Sequence, residues 1–190
     1  MIKLYEDYPN EIELDGKTVR LDLAYDRVLR ALDLQDETAL TPEDRLELQC
    51  ALLLAEGEKV PQDMQRQAEL LIAIFELFPK NERESRERFL DFTQDAGMIR
   101  SAFYRIGVDL IKDRPHFLKF LELLADLPSD TALMRTVQIR QMPLPQLTDK
   151  NKDQYLRIVE AKQRCAIKLS EEERRGKFAR ALKNSSMIKG

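Results

Sequence analysis

Apolar residues recur at helical spacing in almost every segment after Leu21, and this pattern limits the fold more than any other feature. Side chains three or four positions apart share one helical face, so each segment has an apolar stripe to bury. The clearest helix start is Thr41-Pro42, where an N-cap residue precedes proline and acidic residues fill the first turn. Gly57 is predicted to end that helix. The pattern predicts a succession of amphipathic helices.

The remaining helices are placed by the same signals. Two are predicted at about residues 24–34 and 62–78, and one from an N-cap at Thr93 to about Arg105, with a left-handed ending at Gly107. Further helices are predicted in the segments that begin at Pro115, Ser129, Asp149 and Leu169.

One stretch, EIELDGKTVRL at residues 11–21, alternates as strands do. Asp15-Gly16 is the dipeptide that best fits a two-residue type I′ turn, and this turn places Ile12 opposite Val19. An isolated hairpin is marginal in water, so its apolar face must pack on helices. The predicted fold class is mainly α, a multi-helix globular domain with a short N-terminal β-hairpin.

A chain of 190 residues fits one domain, or one domain with an extension. It can bury roughly 70% of its unfolded surface and needs no metal or disulfide to fold. We predict a helical domain at 1–167, with a charged connector near 80–88, and a basic segment at 168–190. The net charge of −3 gives no overall attraction to nucleic acid or anionic membranes.

Cysteine usage and the N-terminal segment predict a cytoplasmic protein. Cys50 and Cys165 lie far apart and form no metal-binding pair, so both are predicted to be free, buried thiols. The N-terminus has no basic segment followed by an apolar core, and the most apolar window, residues 68–78, is too short to span a bilayer. We therefore expect no membrane association.

The only histidine, His116, lies in the apolar stretch PHFLKFLELLADLP. No sequence signature supplies the nucleophile, metal or orienting group that a catalytic histidine needs. We predict a packing role at a helix start and no enzymatic activity, cofactor or metal site. The stripe of Phe117, Phe120, Leu121 and Leu124 is predicted to be core, and an aromatic groove for a partner ranks second. Phe89, Phe92, Phe103 and Tyr104 are assigned to the same core.

The segment 168–190 carries seven Lys or Arg and three Glu, a net charge of +4. A solvated terminal helix is the first interpretation. A docking helix for an acidic partner is the second interpretation. Nucleic-acid binding ranks third, because a single phenylalanine among the basic residues is not an interleaved aromatic pattern and no helix-turn-helix spacing is recognisable. If the segment docks, we predict these partner-binding residues: Arg174, Arg175, Phe178, Ala181 and Leu182.

Four stretches together carry a family resemblance: YEDYPNEIELDGKTVRLDLAYDRVLRAL, FLDFTQDAGMIRSAFYRIGVDL, HFLKFLELLADLPSDTALMRTVQIRQMPL and DKNKDQYLRIVEAKQ. In them the chain resembles the tail-assembly chaperones of tailed bacteriophages, which are encoded between the major tail protein and the tape-measure protein. The resemblance covers roughly residues 4–165 and leaves out the basic tail. Phe117 and Phe120 stand where family members often have tryptophan.

The resemblance implies a cytoplasmic protein that binds the tape-measure protein and keeps it soluble during tail morphogenesis. The major tail (tube) protein is a second expected partner, and self-association stays open. Such a protein needs no cofactor and is absent from the mature virion. Two alternatives remain: a small helical nucleic-acid-binding regulator that uses the basic tail, and a structural tail or connector component.

Overall fold

The computed structural model describes residues 6–79 and 88–168. Strands β1 and β2 cover Glu11–Leu14 and Lys17–Arg20 and form a two-stranded sheet. The helices are α1 Tyr25–Asp33, α2 Pro42–Leu53, α3 Met64–Glu76, α4 Ala96–Arg105, α5 Leu110–Asp113, α6 Phe117–Ala125, α7 Ala132–Gln141 and α8 Lys152–Cys165, with one 3₁₀ turn at Leu34–Asp36. The predicted fold class, mainly α with an N-terminal hairpin, is confirmed.

The chain divides into two compact units. The first contains residues 1–86 and 103–127, and the second contains residues 87–102 and 128–190. The hairpin, α1, α2, α3, α5 and α6 belong to the first unit, and α7 and α8 belong to the second.

The hairpin has the predicted register and turn. Ile12 pairs with Val19 across the antiparallel ladder, and the turn residues Asp15 and Gly16 have φ angles of 51° and 70°. Positive φ at both central positions is the signature of a type I′ turn, which matches the twist of the strands. Aspartate tolerates this conformation better than most residues, and glycine adopts it without a steric penalty.

Helix α2 begins as predicted but ends earlier. The Thr41 hydroxyl accepts the Asp44 N–H, with Pro42 at the first helical position. The helix ends at Leu53, so the prediction that Gly57 ends it was wrong. Its last residue accepts the Asp22 N–H, and Leu54 forms a β-bridge with Leu21. Pairing with the chain after the hairpin thus pulls the backbone into an extended conformation before the glycine is reached.

The core of the first unit is built on stacked aromatic rings. Phe120 lies parallel to Phe103 at 5.1 Å and to Tyr25 at 5.0 Å, measured between ring centroids. Of the four residues in the predicted stripe, Phe117 and Phe120 are buried, as predicted, while Leu121 and Leu124 are half-buried. The assignment of Phe89 and Phe92 to this core was wrong, because both lie in the second unit and Phe92 is 39% exposed. Tyr104 is 73% exposed, so its assignment to the core was wrong as well. It follows Phe103 directly on α4, and adjacent helical positions point in different directions.

The second unit contains a buried ion pair. Arg140 on α7 donates Nη1 and Nη2 to the two carboxylate oxygens of Asp95 at 2.6 and 2.9 Å. The same guanidinium also donates to the carbonyl oxygens of Phe89 and Cys165. Burial by itself raises the pKa of Asp95, but the hydrogen bonds from Arg140 and the Asp91 N–H, with the charge of Arg140, lower it overall. Arg140 therefore joins three separate segments of this unit.

The start of α4 differs from the prediction. The helix begins at Ala96, not just after Thr93. One carboxylate oxygen of Asp91 accepts the N–H groups of both Thr93 and Gln94, which holds these residues in a turn. The predicted ending is correct, since Gly107 has a φ of 84°.

Side chains cap helix α7 at both ends. Its N-cap is Thr131, whose hydroxyl accepts the N–H three residues on, so the prediction of a start at Ser129 was two residues early. At the other end the Lys162 ammonium donates to the carbonyl oxygens of Arg140 and Met142. A cation that binds the last free carbonyls stabilises a helix C-terminus.

Candidate functional site

An open groove lies between α2 and α3 in the first unit, with a volume of about 460 Å³. We call it the α2–α3 groove. Its wall contains one residue from the 3₁₀ turn, two from α2 and five from α3, and most of them are apolar: Gln35, Leu46, Gln49, Ala68, Leu71, Ile72, Phe75 and Glu76. The arrangement offers an apolar surface to a partner rather than a set of reactive groups.

The groove exists because α3 has more apolar surface than the core can take. Leu70 and Ile74 face the core and are almost completely buried. Ala68, Ile72 and Phe75, at relative positions i, i+4 and i+7, line the groove instead. A helix that is apolar on more than one face needs a second surface to cover it.

The floor of the groove is supported by the aromatic core. Phe75 packs edge-on against Phe78 at 6.0 Å, and Phe78 packs edge-on against Phe117 at 5.0 Å, measured between ring centroids. Such edge-to-face pairs add to the energy of apolar burial and restrict ring orientation. The floor is therefore preorganised, which lowers the entropic cost of binding a partner.

Binding of a partner in the groove would depend mainly on apolar contacts. Gln49 is buried, and its side-chain N–H₂ donates to the Ala31 carbonyl at 2.7 Å, so this donor is already used inside the protein. Ile72 is 61% exposed and stands at the open edge. A partner that covers Ile72 would remove apolar surface from water, worth about 25 cal/mol per Å².

His116 is the other candidate site, and its contacts are those of a structural residue. It is the N-cap of α6, and its Nδ1 accepts the Leu118 N–H at 3.1 Å. The acceptor role leaves Nδ1 without a proton, so Nε2 carries it in the neutral ring and donates to the Pro9 carbonyl at 3.2 Å. The ring also stacks on Tyr8 at 5.0 Å. Both ring nitrogens are occupied by backbone groups.

The electrostatics of this cluster agree with that role. Burial lowers the pKa of His116 more than the Pro9 carbonyl raises it, so the neutral ring is favoured. The Tyr8 hydroxyl donates to Glu122 at 2.5 Å, and this hydrogen bond, burial and the negative charge of Glu122 raise the pKa of Tyr8 to about 12. The Tyr-Pro pair near the N-terminus thus fastens that segment to α6.

The five partner-binding residues predicted from the sequence lie outside the described residues: Arg174, Arg175, Phe178, Ala181 and Leu182. Their role stays a prediction, as does that of most of the connector near 80–88. Sequence reasoning missed the α2–α3 groove. The available signal was the run AELLIAIFELF at 68–78, which has more apolar residues than one helical stripe needs.

Within residues 6–79 and 88–168, no three His, Cys, Asp or Glu side chains lie close enough together to bind a metal ion. No helix in that part of the chain combines the length and the apolar character needed to span a bilayer. Cys50 and Cys165 are both free thiols, as predicted. Cys50 is buried, also as predicted, but Cys165 is only half-buried, so its predicted burial was wrong.

Comparison with known proteins gives one finding. No curated protein and no solved structure matches the chain significantly. The model of a family described as "Bacteriophage Gp15 protein" matches residues 4–166, which include both strands and all eight helices described above. The chain therefore belongs to the Bacteriophage Gp15 protein family.

Proposed function

We propose that this phage protein is a tail-assembly chaperone that binds the tape-measure protein and keeps it soluble in the host cytoplasm. The observation that carries the proposal is the α2–α3 groove, where apolar side chains stand open to solvent on a rigid floor. Grooves of this kind bind the apolar face of an amphipathic helix.

A tape-measure protein is a long helical chain whose apolar stripes stay uncovered until the tail tube surrounds them. A small protein that covers one such stripe prevents it from contacting other copies of the tape-measure protein. The groove is short and open, which favours weak binding at each position. Many weak sites along one extended client hold the chaperones by avidity, and tube subunits can still displace them one at a time.

Co-expression with the tape-measure protein from the same phage tests the proposal. We expect the tape-measure protein to move from the insoluble to the soluble fraction and to co-purify with the chaperone. The proposal fails if the tape-measure protein remains insoluble and nothing co-purifies. Deletion of residues 168–190 in parallel shows whether the basic tail contributes to this binding.

A matched pair of substitutions tests the groove. Ile72→Asp places a charge at its edge, while Ile111→Asp makes the same change on α5, outside the groove. The two isoleucines are 61% and 62% exposed, so both variants should fold equally well. We expect only Ile72→Asp to reduce co-purification.

The remaining partners and roles have separate tests. A role as a structural component predicts that the protein is present in purified virions, whereas a chaperone is absent from them. Nucleic-acid binding through the tail predicts an affinity that falls steeply with salt. Co-purification with the major tail protein alone would make that protein the client.

A further inference from the structure

The exposed edge of the α2–α3 groove is acidic. Glu69 and Glu76 lie three residues before and four residues after Ile72 on α3, so all three share one exposed helical stripe. Glu76 lines the groove itself. The apolar side chain that a partner would cover is therefore bracketed by two carboxylates.

The opposite wall adds a third carboxylate. Glu43 is exposed on α2, one turn before the groove residue Leu46. Within the two described ranges, none of Glu43, Glu69 and Glu76 forms an ion pair, and Glu69 only accepts a hydrogen bond from Gln65.

Arg45, beside Leu46 on α2, is half-buried, and its Nη1 donates to the carbonyl of Gln35, which lines the groove. This guanidinium is therefore already used by the protein. The exposed carboxylates of Glu69 and Glu76 on α3, with Glu43 one turn before Leu46 on α2, make the rim beside Ile72 negatively charged. A partner with basic groups beside its apolar stripe fits this surface, and a partner with acidic groups there is repelled.

We propose that the α2–α3 groove binds an amphipathic helix whose apolar stripe is flanked by Lys or Arg residues. This inference rests on the proposed function and specifies which segments of the tape-measure protein the chaperone recognises. The carboxylates add little affinity, because exposed ion pairs are weak. Their contribution is selection, since they determine which of many apolar stripes along a long client is bound.

The spacing of the carboxylates sets the spacing of the basic residues. Glu69 and Glu76 are two helical turns apart, about 10 Å along the axis at 1.5 Å per residue. A client helix that lies along α3 meets both with Lys or Arg at positions i and i+7, and its apolar residues at i+3 and i+4 then cover Ile72.

Two helical peptides provide the probes. One has Leu at i+3 and i+4 with Lys at i and i+7, and its twin has Glu in place of each Lys. Binding to the full chain is measured by fluorescence anisotropy for the wild type, for Glu69→Lys/Glu76→Lys, and for Glu13→Lys/Glu56→Lys. The last variant makes the same change in net charge at two exposed glutamates outside the groove.

We expect the wild type to prefer the Lys peptide by about 2- to 30-fold, the range that two exposed ion pairs give. Glu69→Lys/Glu76→Lys should reverse the preference, and Glu13→Lys/Glu56→Lys should keep it. The preference should shrink between about 0.05 M and 1 M salt, as the Debye length falls.

Three results would overturn the inference: equal binding of both peptides by the wild type, binding of neither, or a preference that the groove variant does not reverse. If the tape-measure protein still becomes soluble in the presence of the wild type, the proposed function is retained and only the preference for Lys or Arg beside the apolar stripe is refuted. A wild-type dimer that Ile72→Asp separates into monomers would also overturn the inference, because a second copy would then occupy the groove.

Discussion

The buried Asp95–Arg140 pair allows the most direct test of how the second unit is held together. The side chains of Asp95 and Arg140 are 2% and 9% exposed, and two charge-assisted hydrogen bonds join them. Removal of one partner of such a pair leaves a buried charge without compensation, which costs about 3–5 kcal/mol. We expect Asp95→Leu and Arg140→Met each to destabilise the unit by about this amount.

The double variant Asp95→Leu/Arg140→Met separates the pair from the rest of the network. It leaves no buried charge, but the carbonyl oxygens of Phe89 and Cys165 lose their donor from Arg140. An unpaired buried carbonyl costs about 1–3 kcal/mol. The double variant should therefore be destabilised by clearly less than the sum of the two single changes.

Native-state amide hydrogen exchange is the appropriate assay because it reports on segments of the chain separately. The single changes should accelerate exchange in α7 about 100-fold or more, since every 1.4 kcal/mol is a factor of ten. Exchange in α1 and α3 of the first unit is the internal control. If the two single effects simply add in the double variant, the ion-pair argument is refuted.

Three further predictions follow from the local geometry. Burial lowers the pKa of His116 in the folded protein below 6.5, so as the pH falls the unfolded chain takes up the proton before the folded chain does. The free energy of unfolding of the wild type should therefore be highest above pH 6.5 and decrease as the pH drops toward the folded-state pKa. His116→Asn keeps a capping acceptor for the Leu118 N–H but has no titrating ring. In urea titrations at several pH values, this variant should not lose stability between pH 6.5 and lower pH; an equal loss in the variant would contradict the role of His116 in the pH dependence. Gly16→Ala should lower the midpoint of thermal unfolding, because at a φ of 70° a Cβ costs about 1–2 kcal/mol; an unchanged midpoint would contradict this turn geometry. Burial raises the pKa of Cys50 to about 11, so a disulfide reagent at pH 8 should modify Cys165 first and Cys50 only after urea unfolding. Equal rates of modification of the two cysteines in the native protein would argue against a buried Cys50 thiol.

The elements that could be predicted from sequence are those with local causes. The Asp15-Gly16 turn sets the hairpin register, and the Thr41-Pro42 cap sets the start of α2. In both cases the residues that determine the structure lie within a few positions of it in the sequence. The errors occur where distant residues intervene. Leu54 pairs with Leu21, for example, and this pairing ends α2 before its glycine.

The candidate site divides in the same way. Periodicity identified α3 as a helix, because side-chain direction along a helix depends only on position. The excess of apolar residues in the run at 68–78 was present in the sequence, but it was not interpreted as a second apolar face. Which face stays open depends on where α2 and the aromatic core lie, and no spacing in the sequence contains that information. The His116 contact with Pro9 spans 107 positions, and the Arg140 contact with Asp95 spans 45.

The sequence by itself therefore determined the helical class, the hairpin and the Thr41-Pro42 start of α2, since each follows from backbone and side-chain chemistry within one or two turns. Only the tertiary structure decided that His116 caps a helix, that Asp95 is neutralised by Arg140, and that Ile72 stands exposed between two carboxylates. Those outcomes depend on which distant surfaces meet, and the packing of the whole chain selects among many arrangements that local chemistry allows equally.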